Sequence, residues 1–108
     1  MRTVIVLNQD AMGHGDQELG RRILKSFLVK SGVFAELDAI VFFNSGVRLV
    51  GAESPVRAEL ENLLEHGVDL VPCGTCVEAL GVKVAVGRIG DMGEIVRRLA
   101  AAAKVITL

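Results

Sequence analysis

Gly67-Val68-Asp69-Leu70-Val71-Pro72-Cys73-Gly74-Thr75-Cys76 is the stretch on which the fold turns. Val68 to Val71 reads as a strand, and a helical pattern follows the cysteines. A strand that runs straight into a helix is the building unit of an α/β domain. The joint also holds both cysteines of the chain. Cysteines at the end of a strand and in the first turn of a helix lie near backbone N–H groups. Such surroundings favour the thiolate, the form that attacks sulfur or binds metal. The joint therefore points to thiol chemistry.

Working outward, apolar runs rich in β-branched residues occur at Thr3–Leu7, Ala39–Phe43, Val68–Val71, Val82–Val86 and Val105–Leu108. They are nearly continuous rather than alternating, as in parallel strands buried on both faces. Helical patterns separate them. Leu19, Ile23 and Phe27 recur at helical spacing together with Leu24 and Leu28, and Gly32 is a plausible stop. Ser54-Pro55 reads as a cap and first helical residue, followed by Val56, Leu60, Leu63 and Leu64 up to Gly67. Asp91 with Glu94 resembles a capping box that opens a helix carrying Ile95, Val96 and Leu99. The order predicts one three-layer α/β domain over residues 1–108. Its weakest unit is Thr75 to Gly81. A parallel crossover needs about a dozen residues, so the helix there has little more than one turn and Val82–Val86 is a short or edge strand.

Bulk composition narrows the function classes. Of the 108 residues, 51% are hydrophobic and only 4% aromatic, so Val, Leu, Ile and Ala build the core. A small domain this apolar is expected to cover part of its surface with a partner subunit. The net charge of −1 is scattered, without the basic stripe that nucleic acid requires. No run approaches the ~18 apolar residues of a membrane span. Asn8, Gln9 and Asp10 interrupt the first apolar run, so no secretory leader is expected. The expected location is cytoplasmic, where a CxxC pair is redox-active, sulfur-carrying or metal-binding rather than a structural disulfide.

Ligands of an open parallel sheet bind beyond the C-terminal ends of the strands. Here those ends lead into Asn8–Gly15, Asn44–Ser54, Cys73–Thr75 and Gly87–Asp91. Cys73, at the strand end, is expected to be the more exposed nucleophile, with Cys76 as the resolving thiol. Backbone N–H groups of Gly74 and Thr75 would steady an anionic sulfur. The bland alternative is a pair of buried cysteines acting as small hydrophobes. A zinc site needs about four ligands. The chain offers Cys73, Cys76 and His14, with His66 at the opposite edge. No metal and no cofactor are expected within one chain, leaving open a metal site shared between subunits.

Met12-Gly13-His14-Gly15-Asp16 fails as a dinucleotide fingerprint, because Glu18 stands where the third glycine belongs, and no Gly-Lys-Ser/Thr follows. The glycines read as a turn into a helix capped by Asp16. His14 reads first as an exposed loop histidine and second as a proton donor or acceptor beside the thiols. Asn44, Ser45 and Gly46 offer short polar groups and close backbone approach, or an ordinary turn.

Taken in order, these signatures resemble a family. They are Met12-Gly13-His14-Gly15-Asp16-Gln17-Glu18-Leu19-Gly20, Phe42-Phe43-Asn44-Ser45-Gly46-Val47, Ser54-Pro55-Val56, Gly67-Val68 through Cys76, and Lys104-Val105-Ile106-Thr107-Leu108. The chain resembles the DsrE/DsrF-like proteins, most closely the C-terminal domain of YedF-type sulfurtransferase-like proteins of selenium metabolism. The resemblance implies a Rossmann-like domain with a mainly parallel five-stranded sheet, and it implies homo-oligomers. It also implies sulfane sulfur carried as a persulfide at Cys73. Cys76 matches the second cysteine of the YedF-type motif. YedF-type chains usually carry a TusA-like sulfur-carrier domain first. Here Met1 leads directly into the first strand, so such a partner is expected as a separate polypeptide or not at all. The competing readings are a non-catalytic module that binds a small ligand or a partner, and a CxxC thiol–disulfide switch.

Overall fold

A computed structural model of the chain describes residues 2–34 and 36–108. Strand β1 spans Thr3–Leu7, helix α1 Gln17–Lys30, strand β2 Leu37–Phe42, helix α2 Arg57–Glu65, strand β3 Asp69–Pro72, helix α3 Gly74–Leu80, helix α4 Met92–Ala101 and strand β4 Lys104–Thr107. The sheet order is β3-β2-β1-β4, with every pair parallel. β1 is buried throughout, and Ala39 to Phe42 of β2 are fully buried. Burial on both faces is why these strands lack alternation in the sequence.

Alternate residues feed two cores. Ile5, Leu7, Ile40, Phe42 and Leu70 face Leu24 and Leu28 of α1, Leu60 and Leu63 of α2, and Val77 of α3. Val4, Val6, Ala39, Val41 and Val71 face Ile95 of α4, with Leu99 packed against them. Three helices on one face and one on the other complete the three layers. Each fully buried Ile, Leu or Phe contributes about 1.5–3 kcal/mol. The layer Ile5–Ile40–Leu70, paired in register across three strands, is therefore the main support of the sheet. The face of α1 that enters the core is Gly20, Leu24 and Leu28, whereas Leu19 and Ile23 are exposed.

Caps follow the sequence closely at two helices. The Asp16 carboxylate accepts from the Leu19 amide at 2.8 Å, and the Asp91 carboxylate accepts from the Glu94 amide at 2.7 Å. The Ser54-Pro55 start does not hold. Ser54 Oγ accepts from the Val56 amide, the Arg57 amide donates to the Ser54 carbonyl, and α2 begins after this turn at Arg57.

The expected fifth strand, Val82–Val86, is also corrected: among the described residues the sheet has four strands. α3 ends at Gly81 in the left-handed conformation, before the chain has returned to the sheet edge. Val84 instead makes an isolated antiparallel bridge to Gly51, and the Ala85 and Val86 amides both donate to the Val50 carbonyl. Only at Arg88 does the backbone reach β3. The Arg88 and Gly90 amides donate to the Leu70 and Pro72 carbonyls, each at 3.0 Å. Gly87 makes this return possible. Its φ is +86°, and a Cβ there would lie 2.5 Å from the Leu70 carbonyl oxygen.

An ion network fastens α4 to the sheet. Arg88 donates to Asp69 and Glu94, and Arg98 donates to Asp69 at 2.8 Å and pairs with Asp38 at 3.3 Å. Burial pushes the Asp69 carboxyl up. The hydrogen bonds from Arg98 and Arg88, with their charges, outweigh that and hold it below the usual carboxylate range. Glu94 is also lowered, first by its hydrogen bond from Arg88. A lowered folded-state value stabilises the protein above the unfolded value, about 4, and the gain is lost as pH falls through the lowered value. Asp69→Asn should therefore cost a modest amount at neutral pH, about 1 kcal/mol once solvent screening of these pairs is allowed for. Urea unfolding at a series of pH values should show the deficit shrinking below about pH 4. A deficit that does not change with pH would mean the loss is packing, not charge.

Candidate functional site

The two thiols lie where the sequence puts them, at the joint between β3 and α3, and both are free. Cys73 is the N-cap of α3 and Cys76 lies in its first turn, so their side chains share one side of the helix start. Backbone bonds fix the joint. The Cys73 amide donates to the Phe42 carbonyl at 2.9 Å, and the Gly74 amide donates to the Gly90 carbonyl at 3.0 Å.

Exposure corrects one expectation. Cys73, expected to be the more open of the pair, is only 1% exposed and sits in the α4-side core beside Val71 and Ile95. Cys76 is half-buried, where the two cores meet. The backbone amide of Asn44 donates to Cys76 Sγ at 3.2 Å. Asn44 can aim its amide this way because its φ is +48°, a conformation that asparagine tolerates better than most residues.

The 3-10 segment Asn44–Val50 follows β2 and closes over the end of the sheet. Ser45 Oγ accepts from the Asp10 amide at 3.2 Å, tying this segment to the loop after β1. Gly46 is held against that strand end: a Cβ there would fall 2.3 Å from the Leu7 carbonyl oxygen. The loops after β1, β2 and β3 thus converge on one edge through named contacts.

One expected contact is altered, and His14 stands away from the thiols' hydrogen bonds. The Gly74 amide is engaged by Gly90, which leaves Thr75 as the exposed residue of the pair. His14 is exposed between Gly13 and Gly15, and among the described residues no hydrogen bond joins it to either thiol. Also among the described residues, no three His, Cys, Asp or Glu side chains gather as metal ligands. Sequence reasoning missed the Asn44 amide and the cover that residues 89 and 90 give the joint. An asparagine straight after an apolar strand was the available signal for the first.

A family model described as DsrE/DsrF-like matches residues 1–108. The chain belongs to the DsrE/DsrF-like family. Membership points to a sulfur-related role, in keeping with paired thiols at the strand end. No curated protein matches the chain. Among solved structures, a protein of unknown function from Methanobacterium thermoautotrophicum is similar at TM-score 0.73 and 19% identity, covering 99% of this chain and 98% of that one. The ychN protein from E. coli is similar at TM-score 0.69 and 18% identity, with 100% of both chains covered. A conserved protein of unknown function from Bacteroides thetaiotaomicron follows at TM-score 0.67 and 18% identity, covering 98% and 94%. At such identities the likeness is one of fold: this DsrE/DsrF-like chain shares its α/β architecture with them. No helix among the described residues is long and apolar enough to cross a membrane.

Two outcomes test this geometry. In the resting protein, Cys76 should alkylate faster than Cys73, since exposure separates them; timed peptide mapping reads the order, and faster labelling of Cys73 would contradict the packing around it. Gly46→Ala should destabilise by about 2–3 kcal/mol, because a methyl group so close to a strand carbonyl forces the segment outward. Chemical unfolding measures the loss, and a stability equal to the parent's would mean the segment gives way freely.

Proposed function

We propose that the protein handles persulfide sulfur in a sulfurtransferase-like relay, with sulfur carried on Cys73 and Cys76 as the resolving thiol. The observation that carries this reading is a free thiol pair at the strand end with a backbone amide, that of Asn44, donating to one sulfur. The Cys73 thiolate attacks the outer sulfur of a donor persulfide; the donor leaves as a thiolate, and Cys73 becomes a persulfide. An acceptor thiolate can then take that outer sulfur. Alternatively, Cys76 attacks the inner sulfur, releasing hydrosulfide and leaving a Cys73–Cys76 disulfide that a thiol reductant must reopen. The Thr75 amide, in the first turn of α3, would steady the anionic sulfur.

The resemblance to YedF-type chains supports a place in cytoplasmic sulfur or selenium metabolism, with a TusA-like sulfur carrier as partner. A homo-oligomer is part of the proposal. It is supported by Leu19 and Ile23 on α1 and Met92 and Val96 on α4, all exposed. His14, Asn44, Ser45 and Gly46 would border the entering donor.

The exposure of Cys76 favours a second order of events, in which sulfur lands on Cys76 and Cys73 resolves it. Mass spectrometry after treatment with a sulfane-sulfur donor separates the readings. The relay proposed here predicts one added sulfur on Cys73, no loading in Cys73→Ala, and loading with slower release in Cys76→Ala. Sulfur confined to Cys76 would reverse the roles. Loss of two hydrogens without added sulfur would indicate a thiol–disulfide switch, and an unchanged mass a binding module.

A further inference from the structure

A second concavity is lined by other residues than the thiols. A cleft of about 640 Å³ is bounded on one side by Asp10 and Arg21 and on another by residues 51–55, with Leu49 and Val82 in its lining. The volume is that of a small-molecule pocket. Neither cysteine lines it.

The cleft is built by the segment that the sequence suggested as a strand. Val84 bridges to Gly51, and an added Cβ on Gly51 would meet Val82 at 3.6 Å and the Lys83 carbonyl at 3.7 Å. Val82 and Lys83 are thereby laid along the cleft instead of along the sheet. The opposing turn is held from behind. Arg57 donates to the Ala52 carbonyl at 3.3 Å, and the Ser54 amide donates to the Gly51 carbonyl at 3.2 Å. The wall is therefore formed before any ligand arrives.

Charge selects the ligand. Arg21 pairs with Asp10 at 3.7 Å, so these two largely cancel. Arg48 and Lys83 are exposed in the lining and, among the described residues, pair with no carboxylate. Glu53 also lines the cleft. Three cations against two carboxylates leave one positive charge in a chain whose net charge is −1. Apolar side chains lie beside these cations. A monoanion with an apolar body matches this lining, whereas a phosphate dianion carries more charge than the one net positive charge can balance and would meet Glu53.

We propose that this cleft binds a small organic acid, its carboxylate between Arg48 and Lys83 and its apolar body against Val82 and Pro55. The site does not depend on the sulfur chemistry of the cysteines. The test is titration of the isotopically labelled full chain with octanoate, read by amide NMR, with octanol and octylamine as controls. Octanoate should give saturable shifts confined to the cleft: Asp10, Arg21, residues 48–55 and residues 82–84. Arg48→Gln and Lys83→Gln should each weaken binding about tenfold, the loss expected for a charged hydrogen bond. Both side chains are exposed, so the rest of the spectrum should be unchanged. Lys104→Gln, on the far strand, should bind as the parent does. The proposal is overturned by any of these results: no saturation, shifts outside the cleft, octanol or octylamine binding as tightly as octanoate, or Lys104→Gln weakening binding as much as the cleft variants.

Discussion

Everything at the reactive edge depends on the backbone bonds around Pro72 and Cys73. β3 is short, and its end is clamped from both sides. The Cys73 amide is held by Phe42 of β2, and the Pro72 carbonyl accepts from Gly90. The Gly90 carbonyl in turn takes the Gly74 amide. These bonds fix where β3 stops and α3 starts, and so fix both thiols. They also explain why Cys73 is covered: residues 88–90 lie along the β3 edge of the sheet, where a fifth strand would otherwise run.

That return segment carries a second role. Arg88, two residues before Gly90, joins Asp69 at the start of β3 to Glu94 in the first turn of α4. Exposed ion pairs are individually worth only about 0–1 kcal/mol. Their effect here is positional rather than a large gain in stability. The core supplies the free energy of folding, while the network sets where α4 crosses the second face and brings Ile95 over Val71 and Cys73. Packing and charge thus meet at the buried thiol.

The segment from Gly81 to Gly87 shows how one stretch serves two sites. It leaves α3 through a left-handed glycine, pairs briefly with Val50 and Gly51, and rejoins the sheet through another left-handed glycine. Its first half forms part of the cleft with Arg48 and Lys83. Its end leads to the cover over Cys73. The 3-10 segment Asn44–Val50 does the same from the other direction: its first residue touches Cys76, and its last turn holds Arg48 and Leu49 in the cleft. The thiols and the cleft, which neither cysteine lines, are built on shared backbone.

The sequence by itself determined the α/β class, the four strands that pair in the sheet, the caps at Asp16 and Asp91, and the joint that holds the cysteines. These are legible because they rest on local signals: continuous apolar runs, capping side chains and residue spacing. The tertiary structure alone decided the rest. Val82–Val86 has strand composition, but its backbone pairs with Gly51 and Val50, and the β3 edge goes to residues 88–90 instead. Leu19 and Ile23 have helical spacing, yet the close approach of Gly20 to Ala11 turned the neighbouring stripe, Leu24 and Leu28, into the core. Which thiol is open was likewise hidden, because the residues that bury Cys73 come from α4 and from the chain's return along β3. Burial of a side chain is a property of its neighbours in space, and those neighbours lie far along the chain.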